Sequence, residues 1–134
     1  MKTRKYDRRL IICVDLDKTL LSYDKWNGRG SWGEPLPGAR EFLVKLHEFG
    51  DIIIHTCRCS PSVVAQGVAS WLLRNEVKDY LNKNGFVYDD IWCQEGKPNG
   101  DIFIDDKGLR IKENPSPEDY EETLKTIKEI FGIE

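Results

Sequence analysis

Asp15 and Asp17 stand two residues apart at the end of an apolar run, with Thr19 just beyond. Thr56 closes a second apolar run and Arg58 follows it. A third run ends at Asp105-Asp106, with Lys97 shortly before it. Carboxylates act as nucleophiles, acids, bases and metal ligands, while hydroxyl and ammonium groups hold oxyanions. Each residue alone has an ordinary explanation, because polar residues commonly end strands. The conjunction is harder to explain that way. If the three ends meet, four carboxylates gather, repel one another and raise one another's pKa values. A cation must then sit among them. Hard oxygen ligands, with no His or Cys expected nearby, indicate Mg²⁺.

The elements that must position these residues alternate between strands and helices. Leu10 to Val14 is a continuous apolar run, too short for a helix, and predicts a strand buried on both faces. Residues 52–55 and 102–104 predict two more, and a less regular candidate lies between Phe86 and Trp92. Pro37 marks a first helix carried by Phe42, Leu43, Leu46 and Phe49 before Gly50. Ser60-Pro61 is expected to open a second, with Val64, Val68, Trp71 and Leu72 on its apolar face and Val77, Tyr80 and Leu81 continuing to Asn84-Gly85. Ser116-Pro117-Glu118-Asp119 has the form of a capping box ahead of Tyr120, Leu124, Ile127 and Phe131. This alternation predicts an α/β, three-layer Rossmann-like fold: a central parallel sheet with helices on both sides and no cap domain. Ligands of such sheets bind outside the carboxyl ends of the strands, where the aspartates fall.

Composition sets the outer bounds. The 134 residues suit one domain, spanning 1–134, and carry a formal charge of −3. That balance excludes a strongly basic nucleic-acid coat and an acidic disordered tail. No apolar run approaches the ~20 residues of a membrane span or the ~7 of a signal-peptide core. A soluble, cytoplasmic protein is expected, and the reading of Cys13, Cys57, Cys59 and Cys93 as small packed hydrophobes agrees. Oligomeric state is not legible.

With these residues in place, Asp15-Leu16-Asp17-Lys18-Thr19 resembles the D-x-D-x-T motif of haloacid dehalogenase superfamily phosphatases. Thr56, Lys97 and Asp105-Asp106 resemble the remaining three motifs, in the same order. The likeness is to small capless members in which the lysine precedes the last motif by a few residues. It implies an enzyme, a Mg²⁺-dependent phosphomonoesterase. Asp15 would be the nucleophile that forms an aspartyl-phosphate, and Asp17 the acid and then the base. Thr56 and Lys97 would hold phosphoryl oxygens, with Thr19 and Arg58 nearby on the substrate side. Asp15, the Asp17 carbonyl and Asp106 would bind the metal, and Asp105 would orient Lys97 or a metal-bound water, or ligate instead of Asp106. An acid at Asp17 fits phosphatases better than dehalogenases or ion pumps. The expected substrate is a small phosphorylated metabolite, a sugar phosphate or nucleotide. A polynucleotide end or phosphoprotein is the alternative, and a non-catalytic phosphate-binding module a third.

Residues 22–36 are long enough for a flap but not for a folded cap. Within them Gly28-Arg29-Gly30-Ser31-Trp32-Gly33 spells a dinucleotide fingerprint without the strand before it or the helix after it that the fingerprint needs. Tyr23, Trp26 and Trp32 would either stack on a substrate base or sugar or anchor the flap. Lys2, Arg4, Lys5, Arg8 and Arg9 are expected to form a solvated basic arm, with nucleic acid a possible partner. His47 and His55 lack metal-ligand spacing and are read as structural.

Overall fold

The computed structural model describes residues 5–60 and 67–134. Strands β1 (Leu10–Val14), β2 (Gly50–His55), β3 (Asp90–Trp92) and β4 (Ile102–Ile104) form one parallel sheet in the order β3-β2-β1-β4. The central strand is therefore β1, flanked by β2 and β4. Cys13 pairs in register with Ile53 on one side and Phe103 on the other. The parallel sheet, the helices α1 (Ala39–His47) and α2 (Ser70–Lys83) that connect its strands, and α3 (Pro117–Phe131) after β4 make this an α/β, Rossmann-like fold.

Period-two alternation decides which side chains enter the core. Ile12, Val14, Ile52, Ile54 and Ile91 share one face and pack with Leu43 and Leu46 of α1 and Val77 and Leu81 of α2. Both helices thus cover the same face. On the opposite face Ile11, Ile53, His55 and Phe103 are half-buried. The α3 helix forms as predicted, with Pro117 in its first turn and Ser116 and Asp119 closing a reciprocal capping box. Its apolar side stays uncovered, however: Leu124 is 60% and Phe131 72% exposed. Capping and periodicity are local and fix the helix, whereas burial needs a partner surface.

Helix boundaries depart from expectation in two places. Gly38, with φ of 85°, rather than Pro37, precedes α1, and Phe42 and Phe49 of the expected stripe are exposed. The α2 helix spans Ser70–Lys83, and the expected opening from Pro61 through Val64 lies outside the described residues. Ser60 is extended, the conformation favoured before proline, and closes a short 3₁₀ turn over Cys57–Cys59. The buried stripe of α2 is Leu73, Val77 and Leu81, while Trp71 is exposed.

Of the expected solvated arm, Lys2 and Arg4 lie outside the described residues, while Lys5, Arg8 and Arg9 form a clamp. Arg8 donates two hydrogen bonds to Asp101 at 2.7 and 2.8 Å, and Asp101 also accepts from the Ile11 N–H at 2.7 Å. Arg9 reaches Asp51 at 2.9 Å and the carbonyls of His47 and Gly50 at 2.7 and 2.6 Å. Lys5 pairs with Glu113. These contacts fasten the start of β1 to the approaches of β4 and β2. They also hold the Asp101 carboxyl well below the usual carboxylate range, chiefly through Arg8.

Ile54 is fully buried at the centre of the covered face. Ile54→Ala should lower unfolding free energy by about 2–5 kcal/mol, the range for large-to-small core changes. Urea denaturation checks this as a shifted midpoint with an unchanged slope.

Candidate active site

The end of β1 determines where the aspartates go. Asp15 N–H donates to the Ile104 carbonyl at 2.9 Å, continuing the β1–β4 ladder one step past the strand. That step brings Asp15 beside Asp105 and Asp106. The Leu16 carbonyl then accepts from the N–H groups of Leu20 and Leu21 at 2.8 and 3.0 Å, folding the chain into a tight loop. Leu16, Leu20 and Leu21 are buried to 1% exposure or less and anchor that loop. Asp15, Asp17 and Lys18 are left facing a cleft, with Lys18 in the left-handed region at φ 68°.

Asp15, Asp17, Thr56, Arg58, Asp106 and Trp26 line one cavity of about 240 Å³. Asp15 and Asp106, now with Asp105, His55 and Phe103, also line a neighbouring cavity of about 340 Å³. Ends of β1, β2 and β4 therefore meet at one place. The electrostatic consequence falls on Asp15, whose carboxyl is pushed from 3.8 up to about 6. Burial is the largest cause, and the charges of Asp106, Asp17 and Asp105 add to it against a hydrogen bond from the Leu16 N–H.

The two adjacent aspartates of the last motif have different surroundings. One oxygen of Asp105 accepts from the backbone N–H of Lys107 at 2.9 Å and from that of Gly108. Asp105 thus caps the turn after β4, and a Cβ at Gly108 would lie 2.9 Å from its carboxylate. Asp106 lines both cavities. An all-oxygen set of Asp15, Asp106 and the Asp17 carbonyl would suit Mg²⁺. Among the described residues, the group of three side chains with candidate ligand atoms within 4.8 Å of one another is instead His47, Asp51 and Asp89. It lies at the opposite end of β2, already joined by a His47–Asp89 contact of 3.1 Å, an Asp89–Ile52 N–H bond and the Arg9–Asp51 pair. A metal in the cleft would therefore lean on backbone carbonyl and water as well as on carboxylates.

Thr56, 6% exposed, accepts from the Arg58 N–H at 3.2 Å and so opens the 3₁₀ turn. Arg58, also 6% exposed, donates through Nε and Nη2 to the two oxygens of Asp17 at 2.8 and 3.0 Å. Its guanidinium lies 4.3 Å from the Trp32 ring and 5.1 Å from the Trp26 ring. Lys97 is on neither lining; its ammonium lies 4.1 Å from the ring of Phe103, which lines the neighbouring cavity. Thr19 is not on either lining; its hydroxyl is buried in the loop with no hydrogen-bond partner among the described residues. The expectation of no His or Cys nearby is not met. Exposed Cys57 lines both cavities and His55 one of them, because alternation along β2 and the turn after it aims them there. Lys107 lines both cavities too and was not anticipated; its place one residue past Asp106 was the available signal.

Residues 22–36 form a flap closed at its base, where Ser22 N–H donates to the Glu34 carbonyl and Leu36 N–H to the Leu20 carbonyl, both at 2.8 Å. A Cβ at Gly33 would lie 1.7 Å from the Ser22 carbonyl oxygen, so this closure needs glycine. Trp32 stacks on Tyr80 at 4.4 Å, the Tyr80 hydroxyl donates to the Gly33 carbonyl, and Arg29 pairs with Glu76. Trp32 is therefore an anchor, while Trp26 remains 43% exposed at the cavity.

No protein-family model and no curated protein matches the chain. Among solved structures, the D,D-heptose 1,7-bisphosphate phosphatase from B. bronchiseptica, complexed with magnesium and phosphate, is similar at a TM-score of 0.42 and 18% identity. The match covers 89% of this chain and 64% of that one.

Two outcomes follow from the geometry. In chelator, the raised Asp15 carboxyl binds its proton more tightly in the folded than in the unfolded chain, so the metal-free protein loses stability as pH rises from about 4 to about 6. Asp15→Asn should remove that loss, raising Tm at pH 7 and leaving it unchanged below pH ~4. Thermal melts at both pH values check it. Trp32→Ala should destabilise toward the upper end of the usual ~0.5–3 kcal/mol and impair every substrate alike, and Trp26→Ala should cost much less. Melting temperatures of the pair decide this.

Proposed function

We propose that the chain is a Mg²⁺-dependent phosphomonoesterase of the haloacid dehalogenase type, acting on a small phosphorylated metabolite. The observation that carries this reading is the single cavity lined by Asp15, Asp17, Thr56 and Asp106 at the carboxyl ends of the strands. Asp15 attacks phosphorus and forms the aspartyl-phosphate as the P–O bond to the leaving group breaks. Asp17 gives that departing oxygen a proton, then takes one from the water that hydrolyses the intermediate and releases phosphate. Both Asp17 oxygens accept from Arg58, and each keeps a second lone pair for a proton, so Arg58 can stay on Asp17 or turn a donor toward the substrate. Phosphoryl oxygens are the groups that draw it away, with the Thr56 hydroxyl and Lys97 supplying further donors. Asp15, Asp106 and the Asp17 carbonyl would hold Mg²⁺, which would supply positive charge between the anionic nucleophile and the anionic phosphate. The engagement of Lys5, Arg8 and Arg9 in ion pairs supports a small substrate over a polynucleotide.

Hydrolysis of an aryl phosphate should require Mg²⁺ and cease in excess chelator while the circular dichroism spectrum is retained. Asp15→Asn should fall to background. Asp17→Asn should lose about 10²–10⁴-fold, more on an alkyl than on an aryl phosphate, because a good leaving group scarcely needs protonation. Full turnover in chelator, or equal losses on both esters, would refute the assignments.

A further inference from the structure

The α3 helix rests on the domain by its polar side. Asp119, Thr123 and Thr126 are its half-buried residues, and with residues 109–112 they line a cavity of about 230 Å³. Lys112 pairs there with Asp119 at 3.2 Å. Round the helix from them, Tyr120, Leu124, Ile127 and Phe131 recur at spacings of four, three and four. These four and the adjacent Ile130 are 38–72% exposed, and no residue of α3 is buried against the described part of the chain. A 15-residue helix draws most of its stability from packing its apolar face, so this stripe calls for a cover.

That spacing is the seam of a two-stranded coiled coil, two heptads long. Two copies laid antiparallel about a two-fold axis bring Tyr120 against the partner's Phe131 and Leu124 against the partner's Ile127, each layer occurring twice. Glu121 and Lys128 flank the seam on one side, one heptad apart, and the same operation sets each Glu121 beside the partner's Lys128. On the other flank Thr123 meets the partner's Ile130. Glu118, Asp119, Glu121 and Glu122 crowd the first half of α3, while Lys125 and Lys128 stand in the second. Antiparallel pairing therefore joins unlike halves and unlike helix ends. A parallel pair would stack the acidic halves and put Thr123, not Glu121, beside the partner's Lys128. At roughly 100 Å² apiece, the five apolar residues, with the aliphatic stems of Glu121 and Lys128, offer about 600 Å² a side. Two such surfaces reach about 1,200 Å², the lower bound for a stable specific interface.

We infer that α3 is a self-association surface: two copies of this chain dimerise through antiparallel α3 helices, and the Glu121–Lys128 contacts between them set the direction. The inference stands apart from the phosphatase reading, since none of these residues lines either catalytic cavity. Sedimentation equilibrium of the full chain should show a monomer–dimer equilibrium with a Kd on the order of 1–100 µM, as suits so small an interface. Leu124→Glu should leave a monomer that still melts cooperatively, because Leu124 is exposed in the single chain. Glu121→Lys and Lys128→Glu should each raise Kd about tenfold, by setting like charges face to face. An equimolar mixture of these two variants should recover dimers, as heterodimers, and the double variant E121K/K128E should recover homodimers. A wild-type chain that stays monomeric throughout that range overturns the inference, as a different protein or the chain's own sheet would then be the cover. Dimers that survive Leu124→Glu overturn it as well. Dimers lost with Leu124→Glu but recovered neither by the mixture nor by the double variant overturn the antiparallel pairing. Should Leu124→Glu fail to fold, the charge variants decide alone.

Discussion

The ion pair between Arg58 and Asp17 joins the three parts of the molecule that meet at the cleft. Asp17 comes from the loop after β1, Arg58 from the turn after β2, and Trp26 and Trp32 from the flap laid by the guanidinium. A charge as buried as Arg58 is tolerated only when paired and hydrogen-bonded. Asp17 supplies the pairing, and the aromatic faces supply a surface on which a weakly hydrated guanidinium rests favourably. The direction of Asp17, the closure of the flap and the course of the 3₁₀ turn are consequently set together. Trp32 transmits the constraint outward through Tyr80 to α2.

A second constraint is the crowding of like charge at the ends of β1 and β4. Parallel pairing carries Asp15 into register beside Asp105-Asp106, and nothing in the strands themselves relieves the repulsion. The fold lessens it by division of labour. Asp105 turns to backbone N–H groups after β4, while Asp106 faces the cleft. Burial first, and the charges of its neighbours after it, raise the Asp15 carboxyl pKa. Both the proposed nucleophile and the proposed metal site follow from one geometric fact, the adjacency of β1 and β4.

The flap shows how one local sequence permits two readings. Its aromatic residues and its Gly-x-Gly-x-x-Gly spacing are compatible with stacking platforms or phosphate loops. Closure at Gly33, the Trp32–Tyr80 stack and the Arg29–Glu76 pair make it a wall of the cleft instead. Of its two tryptophans only Trp26 stays exposed. The difference arises from neighbours on α2, which lies well downstream in the chain.

Strand identity, parallel pairing and the gathering of Asp15, Asp17, Thr56 and Asp106 were legible from the sequence, because continuous β-branched runs ending in polar residues leave few topologies open. So was the α3 cap, formed entirely by Ser116, Pro117 and Asp119 within one turn. Helix stripes were less legible: Leu73 rather than Leu72 enters the core beside Val77 and Leu81. The destiny of the basic residues, the separate tasks of Asp105 and Asp106, the neighbourhood of Cys57 and Lys107, and the anchoring of Trp32 were decided only by tertiary structure. Local sequence fixes backbone preference and the alternation of faces, interactions that reach a few residues. Pairing of Arg58 with Asp17, or of Arg8 with Asp101, depends on which distant strand end arrives alongside, and that is known only once the sheet is assembled.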